Sequence, residues 1–303
     1  MFVKDVHAMA PAVARLALGR VGVTGVRKPL TIDRPDGVHV LAACFSVFVD
    51  IPETRKGSDL SRNAEVLAEI VDQTIVRPCA SLEAACVAIA KELLHRHGYA
   101  TEAEVISEAE YFRPMGLTDE KISLENFLMV ASAWASRTNG GIVVKKSIGA
   151  ESVGMTACPC AMETCRAELE KEYPLLKDPS MQTLPIITHN QRNRTRLSLI
   201  LPEEIEAEVD TILDVISEAQ SSPTYAILKR GDEGQLVLNA HRKPKFVEDV
   251  LRSTLTLACD RFSNLPDSAE VAAFTESEES IHKYNVRAEH HVTLGSLRAN
   301  RRP

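Results

Sequence analysis

Aromatic side chains are scarce in this 303-residue chain: they make up 5% of it, with one tryptophan, Trp134. A core built under that shortage rests on Val, Ile, Leu and Ala. Long apolar runs are missing, and none approaches the roughly 20 residues of a membrane-spanning helix. Near the start, Asp5, His7, Pro11 and Arg15 break a short apolar stretch, so the continuous apolar core of a secretory leader is lacking. The expectation is a cytosolic (cytoplasmic) chain with no membrane partner. An excess of positive charge is also missing. The net charge is −7, which argues against a broad nucleic-acid face and leaves any anionic ligand to a local cluster of Arg and Lys. The seven cysteines are an odd number, which disfavours a disulfide framework. Neither a phosphate-binding GxxxxGK[ST] loop nor a GxSxG nucleophile elbow occurs, and no second cysteine pair completes a zinc-finger spacing.

What is there is an ordinary globular balance, 45% hydrophobic and 25% charged, at a length of about two domains. Period-two alternation predicts strands over 21–32 and 38–51, joined by the turn Asp33-Arg34-Pro35-Asp36-Gly37. Helical spacing follows over 60–76 and over 81–97, with Ser81 as N-cap and Gly98 as stop signal. Two more strands are predicted near 103–112 and 124–135. The second half repeats the order: strands at 142–157 and 184–201, helices at 202–219 and 244–262, strands near 270–276 and 286–293. Each half reads β-β-α-α-β-β, an α+β layer in which a helix pair covers one face of an antiparallel sheet. The strand over 38–48 is apolar on both faces, and helices cover only one. Its other face must meet a second sheet, the repeat partner or another subunit, unless it is a central strand buried within a monomer.

Five segments carry chemistry-bearing side chains. Cys158-Pro159-Cys160 holds two thiols close together, suited to a soft or borderline cation and equally to a plain core. Thr188-His189-Asn190-Gln191-Arg192-Asn193-Arg194 interrupts an apolar strand with polar groups, as a site lining or an exposed bulge does. Leu228-Lys229-Arg230-Gly231-Asp232-Glu233 reads as a charged turn between a helix and a strand. His241-Arg242-Lys243-Pro244-Lys245 clusters cations at a helix start, where anions are attracted, with Glu248 and Asp249 following as first-turn acids. Glu276-Ser277-Glu278-Glu279-Ser280-Ile281-His282 sets an imidazole after carboxylates, either a metal ligand with its orienting acid or a solvated loop. His7, His39, His95, His97, His290 and His291 read as surface or packing residues. Thiol, imidazole and carboxylate together make the ligand inventory of a catalytic metal site.

These segments, with Gly22-Val23-Thr24-Gly25-Val26-Arg27-Lys28-Pro29 and Lys56-Gly57-Ser58-Asp59-Leu60-Ser61-Arg62, resemble in order the prokaryotic type IB GTP cyclohydrolases over residues 19–298. Ser222-Pro223-Thr224-Tyr225 and the ending Thr293-Leu294-Gly295-Ser296-Leu297-Arg298 are most similar to the archaeal branch of that family. The resemblance implies tandem tunnelling-fold modules at 19–138 and 139–298, an N-terminal segment at 1–18 and a basic tail at 299–303. It also implies a homo-oligomer, dimer or tetramer, with active sites at subunit interfaces. The implied substrate is GTP. The implied reaction opens the guanine imidazole ring, releases C8 as formate and closes a 7,8-dihydroneopterin phosphate for methanopterin or folate synthesis, as the 2′,3′-cyclic phosphate in the archaeal type.

By the same resemblance, Cys158, Glu233 and His282 match ligands of one divalent metal per site, iron(II) first and zinc or manganese next. Cys160 matches a catalytic thiol beside the base, and His189 a further ligand or proton shuttle. Glu248 matches the carboxylate that holds the guanine edge. Lys28, Lys56, Arg62, Arg192, Lys243 and Lys245 are the candidates for the triphosphate. Tyr284 departs from the pattern, standing where many relatives carry a second histidine. Two other readings stay beside this one: a deazaguanine reductase of the same fold, and a non-catalytic module stabilised by a metal.

Overall fold

The structure is a computed structural model that describes residues 5–11, 14–118 and 122–300. Part of the expected N-terminal segment (1–4 and 12–13) and the end of the expected tail (301–303) lie outside the described residues. The chain divides into two compact units. The first comprises Met1–Tyr111, Leu128–Ile148 and Ile200–Ala207, the second Phe112–Phe127, Gly149–Leu199 and Glu208–Pro303.

The first unit is built on β1 (Leu18–Arg34), β2 (Gly37–Ile51), α1 (Leu60–Gln73), α2 (Leu82–Arg96), β3 (Glu102–Met115), β4 (Ser123–Thr138) and the opening half of β5 (Gly141–Ala157). The strands lie in that order in the sheet, and β1-β2 and β2-β3 are antiparallel. The first hairpin closes through Pro35 and Asp36, and Gly37 follows at φ +130°, a conformation L side chains rarely adopt. Alternation along β2 sends Leu41, Ala43, Phe45, Val47 and Val49 into the core. Val66, Leu67 and Val71 of α1, which packs on β1, and Leu82, Cys86, Ile89 and Leu93 of α2, which packs on β2, are fully buried with them. Each such side chain contributes about 1.5–3 kcal/mol by leaving water. The Ser81 hydroxyl accepts from Ala84 N at 3.2 Å, the N-cap expected from the sequence. On the opposite sheet face Val38 and Val40 are 61% and 68% exposed, and Trp134 meets solvent there while donating to Glu104.

The second unit continues β5 and adds α3 (Pro159–Glu172), β6 (Asn190–Pro202), α4 (Val209–Ala219), β7 (Ser222–Pro223), α5 (Arg230–Arg242), α6 (Val247–Arg261), β8 (Glu270–Ser277), β9 (Val286–Thr293) and α7 (Leu294–Asn300). Its strand order is β5-β6-β8-β9, with the short β7 beside β5. β8-β9 and β5-β7 are antiparallel. Helices α4 and α6 supply the core through Ile212, Leu213, Ile216, Val250 and Ala258.

The α+β architecture agrees with the sequence expectation, and four details of the second half differ. The strand expected over 184–201 begins only at Asn190, after two short 3-10 turns at Pro174–Lys177 and Pro179–Met181. The Cys-Pro-Cys element follows directly on the end of β5, as expected, but Cys158 also caps a helix the sequence did not announce, α3, whose first residue is Pro159. The run read as a charged turn, 228–233, winds into α5, whose Asp232 carboxylate accepts from Lys229 N at 3.0 Å. The helix expected over 202–219 is also shorter, starting at Val209.

Candidate active site

The strand-to-helix junction at the end of β5 organises the second unit's polar side chains. Ala157 is buried and its carbonyl accepts from Lys245 N at 3.0 Å. One residue on, Cys158 N donates to His189 O at 3.1 Å, and Thr188 Oγ1 donates to Cys158 O at 2.8 Å. The Cys-Pro-Cys element is thereby bonded on one side to the start of β6 and on the other to the segment before α6. Pro159 at the first helical position carries no N–H to satisfy. Cys158 Sγ accepts from Ala161 N at 3.5 Å, so its sulfur lies at the positive end of α3. Cys160, in the same first turn, is exposed.

His189 is set from the other side. Its Nδ1 lies 3.2 Å from Ser280 Oγ and 4.0 Å from Glu279 Oε2, and both side chains of the His189–Glu279 pair are largely shielded. Gln191 Nε2 donates to Glu279 Oε1 at 3.2 Å, and Glu278 N donates to Arg192 O at 2.9 Å. The acidic run after β8 is therefore laid against the start of β6. His282 lies in the same loop, exposed and stacked nearly parallel on Tyr284, with 5.0 Å between ring centres. Behind these groups runs a buried polar ladder that the sequence reading did not pick out. Asn193 Nδ2 donates to Ser277 Oγ at 3.0 Å, Thr275 and Thr195 hydroxyls donate to Asn193 Oδ1 at 2.8 Å each, and Gln220 Nε2 donates to Asn193 O at 3.0 Å. The signal for it was in the sequence: polar Asn193 and Thr195, and polar Thr275 and Ser277, each two apart, occupy the core phase of their strands.

Glu233 lies in the first turn of α5 and Glu248 in the first turn of α6, both exposed. Arg192 and Lys243 are exposed as well. Lys245 is engaged: its Nζ donates to Ala219 O at 2.6 Å and to Ser253 Oγ at 3.2 Å. Burial is the main cause that lowers its pKa, with Lys243 adding to the effect. The remaining cations belong to the first unit. Lys28 pairs with Asp72 at 2.9 Å, Arg62 with Asp59 at 3.0 Å, and Lys56 is exposed.

Cys158 and His189 are thus brought together through backbone and side-chain bonds. Glu233 and His282 are not drawn in with them: among the described residues, no group of three or more His, Cys, Asp or Glu in one chain is placed to hold a metal ion.

Residues 3–288 match the sequence model of a family described as type I GTP cyclohydrolase folE2. The GTP cyclohydrolase MptA of Methanococcoides burtonii is 41% identical over 303 residues, covering 97% of this chain and 95% of that protein. The GTP cyclohydrolase MptA 2 of Methanocella arvoryzae is 37% identical over 305 residues, covering 98% of each. Among solved structures, a uricase from Arthrobacter globiformis superposes with a TM-score of 0.50 at 9% identity, covering 92% of this chain and 94% of that one. That likeness shows the fold alone, the tunnelling fold expected from the sequence.

Proposed function

The chain belongs to the type I GTP cyclohydrolase family, and we propose that it opens the imidazole ring of GTP, releases formate and forms a 7,8-dihydroneopterin phosphate for pterin synthesis, as the 2′,3′-cyclic phosphate. The β5–α3 junction carries this reading. It gives one thiol, Cys158, a helix N-terminus and a backbone tie to His189, and leaves a second thiol, Cys160, exposed two residues on.

The residues take roles that their positions suit. Glu248 offers two carboxylate oxygens to the N–H groups of the guanine edge. His189, oriented by Ser280 and flanked by Glu279, moves protons at the ring nitrogens; a positioned acid/base of this kind contributes roughly 10²–10⁴-fold. Cys160 stands beside the base. Arg192, Lys243, Lys28, Lys56 and Arg62 meet the triphosphate, joined by Lys245 once its ammonium leaves Ala219 and Ser253.

Cys158, Glu233, His282 and His189 are the donors for one divalent ion, and thiolate, imidazole and carboxylate suit iron(II), zinc or manganese. When bound, such an ion would lower the pKa of a water toward neutrality and so supply a nucleophile. A single chain does not gather these donors, so we assign their meeting to the contact between copies. The surface beside them supports this. Val237 and Leu238 on α5, the helix that carries Glu233, are 44% and 47% exposed, and Ile281 and Tyr284, flanking His282, are 61% exposed. A homo-oligomer, dimer or tetramer, covers that apolar surface. We place the enzyme in the cytoplasm; among the described residues no helix is long and apolar enough to cross a membrane.

Mass analysis of the product made from GTP, run anaerobically with iron(II), tests the reading, alongside metal content and GTP titration of two variants. Formate with a dihydroneopterin cyclic phosphate is expected. Cys158→Ser loses metal and activity, while Glu248→Ala keeps metal and weakens GTP binding. Oxidation of NADPH without formate, or full metal content in Cys158→Ser, overturns it.

A further inference from the structure

The loop that carries Lys56 and the first turn of α1 that carries Arg62 are braced from within by a hydrogen-bonded chain of four side chains. Ser58, Asn63 and His97 are 4%, 0% and 0% exposed, deep for polar groups in a loop and a helix's first turn. His97 Nε2 lies 2.6 Å from Asn63 Oδ1, and its Nδ1 lies 2.9 Å from Tyr99 OH. Tyr99 OH donates to Ser58 Oγ at 3.1 Å. The chain thus runs from the first turn of α1, through the segment after α2, back to the loop.

The visible side of the loop is tied to the same ring. The Arg55 guanidinium lies over the Tyr99 ring at 4.1 Å, makes two 2.9 Å bonds to Asp59, and donates to Gly57 O at 3.0 Å. Asp59 also pairs with Arg62. From the outside, His7 O and Met9 O accept from Lys56 N at 3.1 and 2.7 Å, and a Cβ on Gly57 would stand 2.8 Å from His7 Nδ1. Every residue from Arg55 to Asp59 therefore has a fixed partner or packing neighbour; the Lys56 side chain is exposed, and the Arg62 guanidinium is held by Asp59 and Arg96 O on an exposed residue.

We propose that His97 and Tyr99 are positioning residues for the phosphate chain of the nucleotide. They touch no substrate; they hold the 55–59 loop and the first turn of α1 in the one conformation that presents Lys56 and Arg62 together. The inference rests on the reading that these two cations meet the triphosphate. A buried network of this sort fixes geometry because a half-made version leaves desolvated polar groups unpaired. Its link to the proposed ligand runs through Lys56 and Arg62, so its effect is expected on the phosphates.

The experiment separates the inference from the reading beneath it. Inorganic tripolyphosphate and guanosine serve as competitive inhibitors of the metal-loaded enzyme in four variants: Tyr99→Phe, His97→Gln, Lys56→Ala and Arg62→Ala. Tyr99→Phe deletes one hydroxyl and keeps the ring beneath Arg55, so it folds even where His97→Gln does not. In Tyr99→Phe the expected result is a rise of about threefold to tenfold in KM for GTP and in Ki for tripolyphosphate. The kcat and the Ki for guanosine stay within about twofold. Lys56→Ala and Arg62→Ala also raise the tripolyphosphate Ki. If those two leave it unchanged, the phosphate reading fails and the inference with it. If they raise it while Tyr99→Phe does not, or if Tyr99→Phe weakens guanosine equally, the positioning role is overturned and the reading stands.

Discussion

The environment of His97 sets the charge it can carry. Burial is the main cause holding its pKa below the ordinary 6.5, Arg62 and Arg55 add to the effect, and Asp59 opposes it. A base whose folded pKa is depressed lends stability above its unfolded pKa and loses it as pH falls. The stability of the wild type relative to His97→Gln, from urea midpoints, is therefore expected to be greatest above pH 6.5 and to shrink steadily toward pH 5. An unchanged gap would mean that His97 charges freely. From the sequence, His97 reads as a packing or surface histidine, and packed it is. Its partners were not legible, because Asn63 stands 34 residues away and no local pattern links the two. Cys158, His189 and Glu248 were singled out by the resemblance to a family pattern, because the spacing around each one fits a plain core, a bulge or a first-turn acid equally well.

At the scale of elements, legibility followed apolar periodicity. β2 alternates cleanly, α2 has a full buried stripe and Ser81 as N-cap, and both were read within one residue of their ends. Helix α5 escaped because it buries only Leu236 and Ala240; its remaining positions are charged, polar or exposed, so no stripe marks it. Helix α3 escaped for the same reason, with Met162 and Arg166 as its only buried residues, although proline after the cap cysteine was a usable start signal. The strand read from 184 was cut back to Asn190 because 188–189 serve the Cys158 junction instead of a ladder. Replacing Ser81 with Ala, which leaves Ala84 N without its acceptor, is expected to cost about 1 kcal/mol, read as a lower urea midpoint at unchanged slope. An unchanged midpoint would show that water replaces the cap fully.

For the whole molecule, the active centre and the state of assembly are one question. Glu233 and Val237 lie four residues apart on α5 and so share a face, one a metal donor in our reading and the other an exposed apolar group. Val237→Lys is expected to shift the sedimenting species toward monomer and to lower bound metal in parallel, with the circular dichroism of the fold retained. Monomers that keep full metal would remove the link between copies and chemistry.

The uncovered sheet face has a consequence for how such assembly is watched. The chain's one indole, on Trp134, stands partly in solvent on that face with its N–H on Glu104. Fluorescence excited at the indole therefore comes from a single spot, and its colour gauges how wet that spot is. Dilution of the purified enzyme becomes an optical titration of whether anything lies over the first unit's bare strands, with no dye attached.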